Sequence, residues 1–331
     1  MEREDSSRAA SHVLRSIFGV AVAMMNNPTL RSNMSSFWKL ALMSSLLGCT
    51  VGVAQPSGIF SHLRIQSSAV WADNLSRTSH LPTQKSSQIY NLIGTVDHRH
   101  QLDRNWMLIT EVELAGQYVN QYDALNNINA TTRLKLRHKF GLGPFATVID
   151  FSTQLTGTSF KETGRNGWLF EAGASASKRI TESLQLTGGA SWNHFSAKRN
   201  TYNVSTDRLF LEGSWDITDR WRISLGGSRI EGKFVANAAG AIWSSAIGGQ
   251  LGPEISQHYN TLAWEVSDTF GPGWVAYRNR ESNVDQWWVE LSPTLSDQTS
   301  LSLRYEFNKA INAIGIRYDT IFWSLGLNHQ F

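Results

Sequence analysis

Three small groups of residues have the types and spacing that chemistry would need. Arg133, Lys135 and Arg137 alternate with apolar residues, and Lys139 continues the row, so these cations would share one face of a strand. Such a row draws anionic solutes, acidic sugars among them. It is also suited to neutralisation by carboxylates on adjacent strands, Glu111 and Glu113 on one side and Asp150 on the other, while Glu171, Glu212, Asp216, Glu265, Glu290 and Glu306, with Arg304, fall on the same polar face of their own segments. The second group is His194-Phe195-Ser196, where two-residue spacing puts both polar side chains on one face and would let imidazole act as general base to the hydroxyl. A His-x-Ser triplet is common, and a plain polar contact explains it as well. The third is His98 with His100, which share a face but gather no Cys or third ligand, so no metal site is expected. No phosphate loop or dinucleotide fingerprint occurs, and no cofactor is expected.

These groups need strands to position them, and the composition favours strands. Hydrophobic residues make up 41% of the 331 and charged ones 17%, with 13 Trp, 15 Phe, 8 Tyr, 26 Gly and 7 Pro. Charge is scarcer than the roughly 25% of an ordinary soluble domain. Aromatics with glycine suit strands and tight turns. The formal charge of +3 comes without a block of Lys and Arg, which argues against nucleic acid as a partner.

The first part of the chain reads as an export leader. Residues 34–54 form a signal peptide: Lys39 is followed by the apolar stretch Leu40 to Val53, and Gly52-Val53-Ala54 precedes Gln55-Pro56, placing cleavage after Ala54. The stretch is shorter than the roughly 20 apolar residues of a membrane-crossing helix. Residues 1–33 hold a second apolar run, Ile17 to Met25, and read as an over-extended start, with a long n-region or an earlier leader as alternatives. Leu46-Leu47-Gly48-Cys49 resembles a lipobox, which would place an acyl anchor on Cys49; otherwise the processed chain has no thiol.

Beyond residue 85 the pattern is alternation in segments of strand length. Leu108, Val112, Leu114 and Tyr118 oppose Glu111, Glu113 and Gln117, and Leu134, Leu136 and Phe140 oppose the cation row. Leu184, Leu186, Ala190 and Trp192 oppose Gln185, Thr187, Ser191 and Asn193. No segment is apolar on both faces, so these strands are not a sandwich core or a buried parallel sheet. Turn clusters recur near residues 103, 142, 181 and 219, then at Gly271-Pro272-Gly273 and Ser296-Asp297-Gln298, separated by longer polar loops. Aromatic residues sit beside the short turns: Trp106, Phe140, Phe145, Trp221, Phe270 and Trp274, a girdle such as marks a membrane interface.

The chain ends Ser324-Leu325-Gly326-Leu327-Asn328-His329-Gln330-Phe331. Ser324, Gly326 and Phe331 resemble the C-terminal insertion signal of bacterial outer-membrane proteins, from which His329 departs. That resemblance implies an all-β fold, a transmembrane antiparallel up-and-down β-barrel in the outer membrane of a Gram-negative cell. Its expected partners are outer-membrane lipid and the barrel insertion machinery. Counting hairpins gives fourteen strands, or twelve if Leu63 to Trp71 is a plug or arm. The expected division is therefore 55–85 as an N-terminal arm or first strand and 86–331 as the barrel, with Glu231 to Pro253 an external loop or one folded inward.

Within such a barrel the charged residues would face a lumen, and the implied activity is that of a channel or porin for polar or anionic solutes or for export of a polymer. Two alternatives stay open. One is a structural or assembly barrel serving polysaccharide export or protein secretion. The other is a membrane-embedded lipid hydrolase using His194 and Ser196, since the pair resembles the His-x-Ser of outer-membrane phospholipase and lipid A deacylase but lacks the accompanying Asn. A non-enzymatic barrel is the expectation.

Overall fold

The computed structural model describes residues 62–242 and 261–331; the signal peptide, Cys49 and residues 1–33 lie outside the described residues. Nine long strands come first: β1 (His62–Ala72), β2 (Ser87–Gln101), β3 (Trp106–Val119), β4 (Asn127–Phe140), β5 (Thr147–Phe160), β6 (Gly167–Arg179), β7 (Leu184–Ala197), β8 (Val204–Thr218) and β9 (Trp221–Gly232). Three short strands interrupt the series, β10 (Val235–Ala238), β11 (Thr261–Val266) and β12 (Val275–Asn279). The long strands then resume with β13 (Ser282–Ser296), β14 (Thr299–Asn312) and β15 (Arg317–Gln330).

The twelve long strands form one closed antiparallel barrel in chain order, with β9 beside β13 and β15 returning to β1. The short strands make a separate sheet, β10-β12-β11. Closure runs through β1, which pairs with β2 from His62↔Asp97 to Ala72↔Ser87 and with β15 from Arg64↔Gln330 to Ala72↔Phe322. Leu63 to Trp71 is thus neither arm nor plug. The strand count is nevertheless twelve, because Gly271-Pro272-Gly273 belongs to the small sheet rather than to a barrel hairpin.

Alternation decides the two faces of the wall. On one face Leu92, Leu134, Phe151, Leu209, Leu225 and Leu325 are exposed. A band of this kind around a closed barrel belongs in hydrocarbon, where every backbone group is already paired round the ring. The other face is concave. Arg64 on β1 reaches Glu111 on β3 over the intervening β2, and Trp288 on β13 reaches Glu212 on β8 over β9. The molecule is a membrane-spanning β-barrel of the outer-membrane type.

Short turns at 102–105, 141–146, 180–183, 219–220 and 297–298 lie at one end, and longer connections at the other, which by the barrel rule is the external one. Three external loops are built alike. The single turns Asp123–Leu125, Thr163–Arg165 and Asn200–Tyr202 each end on an Asn. The side-chain oxygens of Asn126, Asn166 and Asn203 accept the backbone N–H of Val119, Phe160 and Ala197 at 2.7, 2.7 and 2.6 Å. Each loop also bonds the next, since Lys161 N–H donates to the Asn126 carbonyl at 2.8 Å and Lys198 N–H to that of Asn166 at 2.7 Å. This part of the rim, from the β3–β4 to the β7–β8 loop, is therefore tied together by hydrogen bonds.

Candidate functional site: the barrel interior and its outer end

The middle of the interior is polar. Glu111, Arg133, Gln154 and Glu171 stand in register across β3, β4, β5 and β6. Arg133 donates to Glu111 and, through Nε, to Gln154 at 2.8 Å. Four residues nearer the short-turn end, Arg137 grips Asp150 with two bonds of 2.8 and 2.9 Å, the fork geometry a guanidinium offers a carboxylate. Lys135 lies between these two arginines along β4, opposite Ile109 and Ser152, and makes no salt bridge among the described residues. Glu113 and Glu171 stand on the same inner face, also outside the salt bridges of the described residues. On the far wall Arg304 bonds Glu306 at 2.6 Å and lies 3.6 Å from Glu290.

Sequence pattern alone does not single out Trp288. Its neighbour Trp287 is 49% exposed on the outer face, whereas Trp288 is 4% exposed inside. The indole N–H donates to Glu212 at 3.0 Å, and the ring is flanked by the guanidinium of Arg304 at 4.8 Å and that of Arg208 at 5.9 Å. Gly226 makes this possible, because a Cβ there would stand 2.2 Å from the indole. The signal available in sequence is that glycine on the strand paired with β13. Arg64, placed by the sequence in a possible arm, is another interior residue the pattern does not reveal.

Towards the short-turn end the interior holds a recess of about 620 Å³. Arg64 and Arg304 border it, over a floor of small polar residues that includes Ser68, Ser302, Ser324 and Gly326. Small side chains on β1, β14 and β15 leave this space open.

The outer end is different. The connection from β9 to β13 folds as the small sheet, whose Phe234, Ala236, Ala238, Val275 and Tyr277 form an apolar cluster with Ala310 and Tyr318 from the barrel wall. Tyr277 and Tyr318 join hydroxyls at 2.8 Å. This overturns part of the expected girdle. Phe270 and Trp274 are each 6% exposed and belong to this connection, because their turn never reaches the membrane wall. Glu265 likewise lies on β11 rather than on the barrel face. Of the other girdle residues, Phe140, Phe145 and Trp221 are exposed, and Trp106 packs against His138 with ring centres 4.3 Å apart.

A polar cluster joins the small sheet to the rim. Glu162 accepts from Arg165 at 2.8 Å, Thr269 at 2.9 Å and Tyr202 at 3.3 Å, while Arg199 bonds Glu265 at 3.0 Å. Burial raises the proton affinity of Glu162, but the Arg165 hydrogen bond and charge, with the two hydroxyls, outweigh it and hold the carboxyl below the usual glutamate range. The Tyr202 hydroxyl is pushed up, first by burial. The guanidinium of Arg165 lies 4.2 Å over the Tyr202 ring.

The remaining sequence candidates are not assembled into a reactive group. His194 is on the outer face, where its ring stacks on Trp192 at 6.0 Å, and no hydrogen bond links it to Ser196 among the described residues. His98 and His100 pair with Thr110 and Leu108 on the lipid side near the short-turn end rather than inside. Among the described residues no three His, Cys, Asp or Glu side chains are grouped to hold a metal.

No protein-family model matches the chain, and no curated protein matches it. Solved structures do resemble it in fold. An outer membrane channel from Pseudomonas putida F1 aligns with 84% of this chain and 100% of its own, at 11% identity and a TM-score of 0.49. A KdgM porin aligns over 81% and 99%, at 8% identity and 0.40. The translocator domain of the autotransporter NalP from Neisseria meningitidis aligns over 91% and 97%, at 10% identity and 0.36.

Proposed function

We propose that the chain is a bacterial outer-membrane channel for polar solutes. The observation that supports this reading most directly is the contrast between the apolar outer face and an interior of ion pairs, small polar residues and a 620 Å³ recess. A barrel that served only as a structural part would gain by filling such space with apolar side chains, since empty or wet volume forgoes packing. Glu111, Arg133, Arg137, Asp150, Arg304 and Glu306 line the path and neutralise one another, while Lys135, Glu113 and Glu171 present charge to whatever passes. The β4 cations favour anionic solutes such as acidic sugars. Outer-membrane lipid contacts the outer face, and Ser324, Gly326 and Phe331 present the C-terminal strand to the insertion machinery. In this reading residues 1–33 are an over-extended start and 34–54 are the leader.

Planar-bilayer recording with purified protein tests the proposal. Discrete conductance steps with a reversal potential that moves on Lys135→Gln support it. A folded barrel that is silent in every form and co-purifies with periplasmic partners would instead be an assembly component.

A further inference from the structure

The connection between β9 and β13 touches all five of the other external loops. Asn237 donates to the Ser76 carbonyl at 2.7 Å in the β1–β2 loop. Phe270 packs edge-on against Tyr122 of the β3–β4 loop, with centres 5.0 Å apart. Thr269 reaches Glu162 of the β5–β6 loop, and Arg278 donates to the Asn203 carbonyl of the β7–β8 loop at 2.7 Å. Ile316, in the β14–β15 loop, packs on its apolar cluster. An element that meets loops all the way round a ring lies across the opening, not beside it. From this, and resting on the reading of the interior as a solute path, we infer that the described parts of this insert, residues 233–242 and 261–281, are a closed gate over the external mouth.

Three features suit a part that moves. First, the insert shares no strand ladder with the barrel, so it can leave without unzipping the wall. Second, its two legs leave the wall side by side, since Gly232 and Ser282 are register partners. Gly232 has φ +137°, and a Cβ there would stand 2.2 Å from the Ser205 carbonyl, so that leg needs glycine to bend as it does. Third, the seal is incompletely satisfied. Buried polar atoms of Thr261, Arg278, Asn279 and Ser282, all in the insert or at its foot, have no hydrogen-bond partner among the described residues. Natural interiors leave few such atoms, and a seal built to open has reason to tolerate them.

The latch is the Glu162 cluster with the Arg199–Glu265 pair, because it joins the insert to two loops through side chains alone. Releasing it leaves the apolar cluster at β13 to β15 as the hinge side.

The test compares three proteins in planar bilayers: the full chain, a variant with residues 233–281 replaced by an Asn-Gly turn joining Gly232 to Ser282, and the full chain with Glu162→Gln and Thr269→Val. Heat-modifiable migration on a detergent gel verifies that each barrel is folded. The gate requires steady conductance several-fold higher without the insert, and frequent brief openings in the latch variant. Equal conductance in the full and excised forms overturns the gate and leaves the channel standing. Silence from all three folded barrels overturns the channel reading, and the gate falls with it. Should the excised form not fold, a latch variant that records identically to the full chain overturns the gate.

Discussion

The two ends of the barrel interior are built from different chemistry although the same strands run through both. At the level of Glu111, Arg137 and Arg304 the interior is held by charges paired across neighbouring strands, Arg133 with Glu111, Arg137 with Asp150 and Arg304 with Glu290, each at least partly accessible to water. At the outer end it is held by an apolar cluster, by the small triad Ala72, Ile89 and Val119, and by hydrogen bonds between side chains of separate loops. Partly hydrated ion pairs contribute little to stability, whereas buried apolar contacts contribute much per residue. The lower interior is thus fixed mainly by the backbone ladder, and its side chains are free to serve a solute. The outer end is fixed by side chains, so its state can change while the wall stays intact.

The comparison breaks most visibly where the outer end is stripped of its packing. Phe234→Ala removes a buried ring from a small cluster and costs about 3 kcal/mol, the lower end for such truncations. The loss falls on the docking of the insert. Limited proteolysis should then cut within residues 233–281 while the barrel keeps its heat-modifiable migration. Loss of the folded barrel itself would show that the two ends are one cooperative unit.

Leu134→Arg tests the wall between them. Arg133 already faces inward one residue away, so the substitution alters only the side on which a cation stands. An arginine on the lipid face near mid-membrane costs about 2–4 kcal/mol. The folded fraction recovered in outer-membrane preparations should drop. Unchanged insertion would mean that this face does not meet lipid.

How far each end was legible in sequence follows from the same chemistry. Period-two alternation and short polar turns specify the wall locally, so the barrel, its faces and the carboxylates opposite the β4 cations can be read residue by residue. The outer end depends on contacts distant in sequence. Gly271-Pro272-Gly273 has the composition of a hairpin turn, and nothing local distinguishes a hairpin of the wall from one of the insert. Phe270 and Trp274 beside it therefore looked like interface aromatics, although they are buried. Trp287 and Trp288 show the limit at its smallest, since adjacent identical residues take opposite faces and only strand phase, set by Gly226 on the partner, separates them.

Acid sharpens the comparison without any substitution. The folded-state proton affinity of Glu162 is depressed, so its contribution to holding the insert is present above the ordinary glutamate range, about 4.3, and is lost as pH falls through that value and below. The groups facing it are Arg165 on its own loop, Arg199 and Tyr202 on the next, and Ser267, Thr269 and Glu265 on the insert. None of the facing cations loses its charge in acid, so protonation of Glu162 removes its attraction to Arg165 and Arg199 and, as a smaller opposing effect, its repulsion from Glu265. Protease sensitivity of residues 233–281 should rise on acidification in the native chain, and in Glu162→Gln it should be high already at neutral pH and rise less.

The smallest effect on stability is expected in the lower interior. Arg137→Gln breaks the two bonds to Asp150, but the guanidinium is 40% exposed and water replaces much of what is lost, so the barrel should be destabilised by less than about 1 kcal/mol. Its consequence is electrical. With Asp150 no longer neutralised, the wall gains a negative charge beside Lys135, and the reversal potential in a salt gradient should move towards cation preference. A large loss of folded protein with no change in reversal potential would place the structural role at the ion pairs and remove the distinction between the two ends.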